Sequence, residues 1–287
     1  MAVDRVDLSI DAGETVGLVG ESGSGKSTLA RMILRLIEPT EGKIYFKGAD
    51  IGALPEDEMR AVRTKLQMIF QDPYGSLNPR MTILHIVAEP MDIHFNLSRE
   101  EKKGRVVEML KGVGLGSDVL SRYPHEFSGG QRQRIGIARA MILNPELVVA
   151  DEPVSALDVT IQAQVIALLS DLQKKRNLSY LFIAHDLSLV ERFCDKTAVI
   201  YLGKIVELAQ SDQLPRRPLH PYTQRLLASV PTQNPRERGK QMPTPEVNSY
   251  PSYCSHHELE PPCLIEAYPK HYVACHLRPI EKTALKI

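Results

Sequence analysis

The sequence predicts an α/β domain with a largely parallel core sheet, and three observations lead to that prediction. Over the first 214 residues, apolar runs of strand length alternate with stretches whose apolar residues recur at helical spacing. A glycine-rich loop, residues 20–28, lies between a predicted strand and a predicted helix. A later apolar run ends in two adjacent acidic residues, Asp151 and Glu152. Strand–helix alternation of this kind favours parallel strands joined by crossover helices.

The individual elements follow from local patterns of apolar residues and of helix stop signals. The predicted strands are Thr15–Gly20, Lys43–Lys47, Leu66–Phe70, Leu147–Ala150, Leu178–Ala184, and a pair around Gly203, Lys196–Leu202 with Lys204–Leu208. The predicted helices are Lys26–Ile37, Ser98–Val113, Gln131–Leu143, Val159–Lys175 and a short one around Tyr222–Val230. Because strand signals lapse between Asp72 and Asn144, we expect a helical insertion at about residues 72–144.

The prolines mark a compositional boundary near Leu214. Eight of the 20 lie in residues 1–214 and twelve lie in residues 215–287. Proline disrupts the interior of both helices and strands. We therefore expect a sheet domain over residues 1–214 and an irregular C-terminal extension over residues 215–287.

Composition excludes several functional classes. Lys+Arg and Asp+Glu are both 35, so the formal net charge is zero, which argues against a protein that coats nucleic acid. Hydrophobic residues make up 43% of the chain and charged residues 24%, as in a globular protein. No apolar run approaches the roughly 18–20 residues of a membrane-spanning helix. The acidic, alternating start of the chain is not that expected of a signal peptide.

The glycine-rich loop fits the pattern G-x-x-x-x-G-K-[ST] and predicts a phosphate-binding site. Glycines let the backbone wrap a phosphate with its N–H groups pointing inward, and the following helix adds its positive N-terminal end. Lys26 would reach the terminal phosphates and the Ser27 hydroxyl would ligate Mg²⁺. The residues assigned to nucleotide binding here are Gly20, Glu21, Ser22, Gly23, Ser24, Gly25, Lys26, Ser27 and Thr28.

The acidic strand end predicts the hydrolytic half of a phosphoryl-transfer site. Ligands of open α/β sheets bind at the carboxyl ends of the strands, where Asp151 and Glu152 are expected to lie. Asp151 is placed to hold Mg²⁺, and Glu152 to orient or deprotonate the attacking water. The alternative for this segment alone is a solvated acidic turn.

A second glycine-rich stretch, Ser128–Gln131, precedes a helical run. Ser128 is a candidate N-cap, and the helix start behind it is a candidate anion site. One nucleotide cannot readily use two such sites far apart in a monomer, whereas a head-to-tail dimer would bring them together. Spacing alone does not separate this hypothesis from an ordinary capped helix.

Together these motifs resemble the nucleotide-binding subunits of ATP-binding cassette (ABC) transporters over about residues 1–230. Residues 20–28 look like the Walker A loop, and Val148–Glu152 resembles Walker B followed by the catalytic glutamate. Ser128, Gly129, Gly130 and Gln131 match the family signature, with Phe127 in place of its usual leading leucine. The resemblance implies a P-loop NTPase core with an inserted helical subdomain, and an enzyme that binds and hydrolyses ATP with Mg²⁺.

Three further positions take roles from the same resemblance. Gln71 matches the Q-loop glutamine, which contacts Mg²⁺ and the attacking water. His185 matches the switch histidine that contacts the γ-phosphate. Residues 155–158, Ser-Ala-Leu-Asp, resemble the D-loop. The implied catalytic residues are therefore Glu152, His185 and Gln71, and the implied Mg²⁺ ligands are Ser27, Gln71 and Asp151.

Finer features resemble the oligopeptide/dipeptide importer branch of the family, among them residues 71–81, 123–126, 219–223 and 273–276. This resemblance implies a peripheral subunit on the cytoplasmic face of the membrane. Its partners would be a second ATPase subunit, two transmembrane permease subunits and, indirectly, an extracytoplasmic solute-binding protein. The alternatives are an importer of nickel or another small solute, and a catalytically weak regulatory subunit.

Two departures from the family pattern concern the ends of the chain. The family has an aromatic residue upstream that stacks on adenine, whereas no aromatic residue precedes Tyr45 here. Many relatives carry four clustered C-terminal cysteines, thought to hold an iron–sulfur cluster. This tail has three, Cys254, Cys263 and Cys275. Free thiols, an iron–sulfur or zinc site with a histidine as fourth ligand, and disulfides are the alternatives for these cysteines.

Overall fold

The computed structural model describes residues 2–229 and 264–274 and contains two compact units. The first unit comprises Met1–Leu8, Val16–Lys26 and His185–Ile287, as far as these are described. The second unit comprises Ser9–Thr15 and Ser27–Ala184. Alternating strands and helices confirm the predicted α/β class. Within the described residues, no helix combines the length and apolar character needed to span a membrane.

The elements are numbered along the chain. The strands are β1 (Thr15–Val19), β2 (Tyr45–Phe46), β3 (Ala49–Asp50), β4 (Leu66–Ile69), β5 (Leu147–Asp151), β6 (Ser179–Ala184), β7 (Lys196–Tyr201), β8 (Lys204–Gln210), β9 (Ile265–Tyr268) and β10 (His271–Val273). The helices are α1 (Lys26–Ile33), α2 (Glu56–Arg63), α3 (Ile83–His94), α4 (Arg99–Gly112), α5 (Gly129–Met141), α6 (Val159–Arg176), α7 (Leu187–Phe193) and α8 (Pro221–Ala228). Short 3-10 turns lie at Ser117–Val119 and Pro124–Glu126.

Three parallel strands form the sheet of the second unit, in the order β4-β5-β6. Ile69 aligns with Ala150, and Asp151 aligns with Ile183, so the three strands end at nearly the same level. The strand residues on β5 and β6 are almost all buried, as expected for parallel strands covered on both faces. This common edge places Gln71, which follows β4, beside Glu152, which follows β5.

The first unit combines a parallel pair with an antiparallel ribbon. β1 runs parallel to β7, with Val19 aligned with Val199. β8 turns back on β7 around Gly203, as the sequence predicts, and β10 and β9 extend the ribbon in antiparallel fashion. The order here is β1-β7-β8-β10-β9.

The helices of residues 83–141 pack on one another, α3 against both α4 and α5. Helix α3 is absent from the sequence prediction, and it contains Pro90, a residue that is disfavoured in a helix interior. Its apolar positions Ile83, Ile86, Val87 and Met91 are nevertheless buried at helical spacing, and this pattern could have identified it. Helix α2 was also not predicted, although acidic residues fill its first turn and Arg63 ends it.

Two further differences concern element ends and the extension. Helix α1 stops at Ile33 rather than Ile37, because Arg35 takes a left-handed backbone (φ 50°) and the Leu36 N–H returns to the Arg31 carbonyl. The extension, predicted to be irregular around one helix, contains that helix as α8 but also the hairpin β9–β10. The hairpin depends on pairing between Val273 and Glu207 of β8, a long-range contact that has no local signal.

Candidate functional site

The phosphate loop runs from the end of β1 into α1, the context that the motif requires. The Lys26 ammonium donates to the carbonyl oxygens of Gly20 and Glu21, each at 2.8 Å. Lys26 is only 6% exposed, and these carbonyls offset the cost of burying its charge. The loop is therefore already curled around the side chain that the motif assigns to phosphate.

Two glycines of the loop are required by its backbone path. Gly25 has φ 106°, a conformation that residues with a Cβ rarely adopt. A Cβ on Gly20 would lie 2.3 Å from the Ile200 carbonyl oxygen. Any larger residue at either position would distort the loop.

The first residue after Gly20 is held by the C-terminal helix α8. The Glu21 N–H donates to the Tyr222 hydroxyl at 2.8 Å, and Arg225 pairs with the Glu21 carboxylate at 3.2 Å. Sequence reasoning placed Tyr222 in a helix but gave it no role at the site. The contact spans 201 residues of chain, so no local pattern could have found it.

Ser27 and Asp151 form an oxygen-ligand pair in the second unit. The Ser27 hydroxyl donates to Asp151 Oδ1 at 3.2 Å, and Asp151 is 4% exposed at the end of β5. Mg²⁺ prefers oxygen ligands and commonly takes one or two protein oxygens besides substrate phosphates. This donor set fits Mg²⁺. Among the described residues no group of three or more His, Cys, Asp or Glu side chains could hold a metal without such a substrate.

Gln71 and Glu152 meet at the carboxyl edge of the same strands. Gln71 Nε2 donates to Glu152 Oε2 at 2.8 Å, which brings together two of the three predicted catalytic residues. Glu152 has a left-handed backbone, with φ 43°, and its N–H donates to the Ile183 carbonyl at 3.0 Å. A non-glycine residue in this conformation costs about 1–3 kcal/mol and often marks a functional site.

The signature segment is a capped helix start, as predicted for Ser128. The Gln131 N–H donates to Ser128 Oγ, and the Ser128 N–H donates to Gln131 Oε1, so both side chains form a capping box. Ser128 is exposed. Gly130 is packed closely, since a Cβ there would lie 2.6 Å from Ile161 Cγ2. The helix begins two residues earlier than predicted, at Gly129.

His185 and the D-loop segment lie at the starts of two other helices. His185 follows β6 directly and is exposed, and the next residue, Asp186, caps α7 by accepting from the Ser188 N–H. Asp158 caps α6 in the same way, accepting from the Ile161 N–H at 3.0 Å. Ser155 Oγ donates to the Glu152 carbonyl.

The three tail cysteines, Cys254, Cys263 and Cys275, lie outside the described residues, so the alternatives for them stand as before. Cys194 is buried, as the sequence predicts. Burial raises the pKa of its thiol, which keeps it in the inert protonated form.

The fold and the loop define a nucleotide-binding protein of the P-loop class. Comparison with known families identifies the family within this class: a family model described as "ABC transporter" matches residues 3–155. The chain therefore belongs to the ABC transporter family. A second model, described as "Oligopeptide/dipeptide transporter, C-terminal region", matches residues 206–258.

Curated relatives cover nearly the whole chain. The putative oligopeptide transport ATP-binding protein YkfD of Bacillus subtilis is 52% identical, over 100% of this chain and 92% of the relative. The oligopeptide transport ATP-binding protein OppF of the same organism is 50% identical over 96% of this chain and 90% of its own length.

A solved structure supports the fold independently. The dimeric post-hydrolysis state of the ATP-binding cassette MJ0796, bound to ADP and Pi, matches with a TM-score of 0.67 and 32% identity. The match covers 73% of this chain and 90% of that cassette.

Proposed function

We propose that this protein is the ATP-binding and ATP-hydrolysing subunit that powers an importer of oligopeptides or dipeptides. The observation that carries the hydrolytic part is the pair of contacts at one strand edge, Ser27 with Asp151 and Gln71 with Glu152. The peptide part is supported by the names of relatives that are about 50% identical over nearly the full chain. It is also supported by the match of residues 206–258 to the oligopeptide/dipeptide C-terminal region.

In this proposal residues 20–28 hold the phosphates of ATP. Backbone N–H groups of the loop and the N-terminal end of α1 bind the phosphate oxygens, and Lys26 moves from the Gly20 and Glu21 carbonyls to the terminal phosphates. Ser27 and Asp151 hold Mg²⁺, with Gln71 as a further contact. The chemistry that such an ion supplies when bound is neutralisation of the phosphate charge.

Glu152 is the proposed base for the attacking water, with Gln71 and His185 as supporting residues. The hydrogen bond from Gln71 Nε2 to Oε2 orients the Glu152 carboxylate. His185 would contact the γ-phosphate. Positioning of this kind is most of what an enzyme contributes to phosphoryl transfer.

Ser128, Gly129, Gly130 and Gln131 are proposed to bind the ATP held by a second ATPase subunit. Residues at a helix start can bind an anion, and a head-to-tail dimer would give each nucleotide both a phosphate loop and a signature helix. The partners would be this second subunit, two transmembrane permease subunits and, indirectly, a solute-binding protein. The location would be the cytoplasmic face of the membrane. Nucleic acid is not an expected partner.

The proposed domain organisation is a nucleotide-binding domain over residues 1–214, with its helical insertion at about residues 72–144. Residues 215–287 form the proposed extension of the peptide-importer type. Whether the extension carries metal is a matter for iron and zinc analysis of the purified protein: a stoichiometric metal lost on replacement of Cys254 would support a cluster or zinc site.

The test is to purify the subunit with its membrane partners and measure phosphate release with di-, tri- and pentapeptides and with Ni²⁺. We expect stimulation by peptides that is abolished by Lys26→Ala. Stimulation by Ni²⁺ and not by peptides would overturn the substrate. Wild-type complex that binds ATP without hydrolysing it would overturn the enzyme in favour of a regulatory subunit.

A further inference from the structure

We infer that helix α8 of the C-terminal extension positions the phosphate loop, through Tyr222 and Arg225 acting on Glu21. The inference rests on the proposed function, since it concerns the loop that is proposed to bind ATP. It assigns to the extension a part in nucleotide binding. All residues involved belong to the first unit.

Glu21 is held through three different groups. Its N–H donates to the Tyr222 hydroxyl at 2.8 Å, its carbonyl oxygen accepts from Lys26 Nζ at 2.8 Å, and its carboxylate pairs with Arg225 Nη2 at 3.2 Å. Two of these three contacts come from α8. Glu21 is nevertheless an exposed residue in a loop, where a backbone without such contacts is usually mobile.

The two contacts from α8 matter most when phosphate is bound. If Lys26 moves to a phosphate, the Glu21 carbonyl loses its partner, whereas the bonds from Tyr222 and Arg225 do not depend on Lys26. The peptide between Gly20 and Glu21 then keeps its orientation, and the loop need not be ordered anew when ATP binds. Ordering a loop before binding raises affinity by reducing the entropy lost on binding.

Tyr222 is itself rigidly placed. Its ring is buried and stacks on Tyr201, with centroids 4.1 Å apart and an interplanar angle of 28°. Burial raises the pKa of the Tyr222 phenol, so the hydroxyl stays neutral at physiological pH. Rigid aromatic residues hold a hydrogen-bonding group in place with little loss of conformational entropy.

The start of α8 is fixed by a buried carboxylate, Glu207 of β8. It accepts hydrogen bonds from the N–H groups of Leu219 and His220, at 2.8 and 2.9 Å. His271 of β10 contacts the same carboxylate, with Nε2 2.7 Å from Oε1. The His220 side chain then caps the helix by accepting from the Tyr222 N–H at 3.1 Å. The hairpin β9–β10 and the strand β8 thus determine where Tyr222 lies.

The test compares two single-hydroxyl deletions in the full-length chain. Tyr222→Phe removes the partner of the Glu21 N–H but keeps the stacked ring. Tyr268→Phe is the matched control, because its hydroxyl accepts from Arg217 Nη2 at 2.7 Å within the same extension. Equilibrium binding of a fluorescent ATP analogue and thermal unfolding are measured for both, with Lys26→Ala as reference.

We expect Tyr222→Phe to bind the analogue about three- to tenfold more weakly, the range of one hydrogen bond. Tyr268→Phe should bind as the wild type does, and Arg225→Gln should weaken binding about twofold or less because its ion pair is partly exposed. In the complex with its membrane partners, Tyr222→Phe should raise KM for ATP and leave kcat unchanged. A merely structural role would lower the melting temperature without this KM-against-kcat split.

The inference is overturned if Tyr222→Phe binds the analogue as tightly as the wild type while Lys26→Ala loses binding. It is also overturned if Tyr268→Phe weakens binding as much as Tyr222→Phe, since the effect would then belong to the extension as a whole. If Lys26→Ala retains full affinity, the proposed function itself fails. These outcomes separate the two proposals.

Discussion

Two regions of this protein contain buried or partly buried carboxylates, and the carboxylates of the two regions have different roles. In the second unit Asp151 and Glu152 follow one another at the open end of a parallel strand, beside Ser27 and Gln71. In the first unit Glu207 lies fully buried inside the antiparallel ribbon, where two backbone N–H groups and His271 surround it.

The role of each carboxylate depends on its position in the sheet. The carboxyl end of a parallel strand faces a crevice where ligands bind, and its side chains can reach them. A residue in the middle of an antiparallel ribbon is enclosed by its neighbours, so Glu207 can only hold other parts of the chain. Substitution should therefore affect turnover in the first case and stability in the second.

The largest effect is expected from Glu152→Gln. The amide keeps the shape of the side chain but cannot accept a proton, so ATP hydrolysis should fall by about 100-fold or more while ATP binding persists. Steady-state phosphate release and nucleotide binding measure the two quantities. Glu146→Gln is the control, because that partly exposed carboxylate pairs with Lys47 and Lys65. Hydrolysis at the wild-type rate in Glu152→Gln would contradict the assignment of the base.

Glu207→Ala should mainly reduce stability, in contrast to the effect of Glu152→Gln on turnover. It leaves His271 and two buried N–H groups without their acceptor, which costs about 3–5 kcal/mol of unfolding free energy. Urea unfolding followed by circular dichroism measures this loss. Glu146→Ala should cost less than about 1 kcal/mol, as is usual for exposed ion pairs. A loss no greater than that of Glu146→Ala would contradict the structural role assigned to Glu207.

The pH dependence of stability should come partly from the same buried cluster. Burial lowers the pKa of His220 to about 4, against the partly opposing charge of Glu207. Between pH 6.5 and 4 the unfolded chain binds more protons than the folded one, so this contribution is complete above pH 6.5 and is lost as the pH falls towards 4. It amounts to about 3 kcal/mol.

This pH effect is tested by urea unfolding at pH 7.5, 5.5 and 4.5 for the wild type and for His220→Asn. Asparagine keeps a capping oxygen but does not titrate. The wild type should lose more unfolding free energy than the variant over this range. An equal loss of unfolding free energy in the two proteins over this pH range would show that His220 is not the titrating group.

The smallest expected effect on stability comes from substitutions at two matched helix caps. Ser98 and Ser128 both form capping boxes in the second unit, with Glu101 and Gln131. Ser98→Ala and Ser128→Ala should each cost about 1 kcal/mol of unfolding free energy. Only Ser128→Ala should also slow ATP hydrolysis by the assembled complex. An equal loss of hydrolysis in both variants would mean that the signature segment acts as a cap alone.

Much of the fold and of the site could be predicted because the information is local. The loop at residues 20–28 is identified by its residue types at fixed spacing. The strand before it and the helix after it are each predicted from the pattern of neighbouring residues. Asp151 and Glu152 were found because they end a buried strand. The sequence prediction lacks helix α3, although its apolar pattern is present, and Pro90 in its interior is unusual for a helix.

Other features could not be predicted because their causes lie far apart in the chain. The hairpin β9–β10 forms by pairing with β8, and its strand segments have no strong local preference. The partners of Glu207 follow it by 12, 13 and 64 residues. The role inferred for Tyr222 depends on a hydrogen bond to a residue 201 positions earlier.

The class of protein and the residues proposed for chemistry could both be inferred from the amino-acid sequence. Phosphate binding and proton transfer need particular residue types at particular spacings, and such patterns can be identified in the sequence alone. The contacts that hold those residues in place are visible only in the folded structure: Gln71 donates to Glu152, Ser27 donates to Asp151, and the Glu21 N–H donates to Tyr222. A hydrogen bond requires two groups within about 3 Å of each other, and the folded chain brings them together across distances that no sequence pattern encodes.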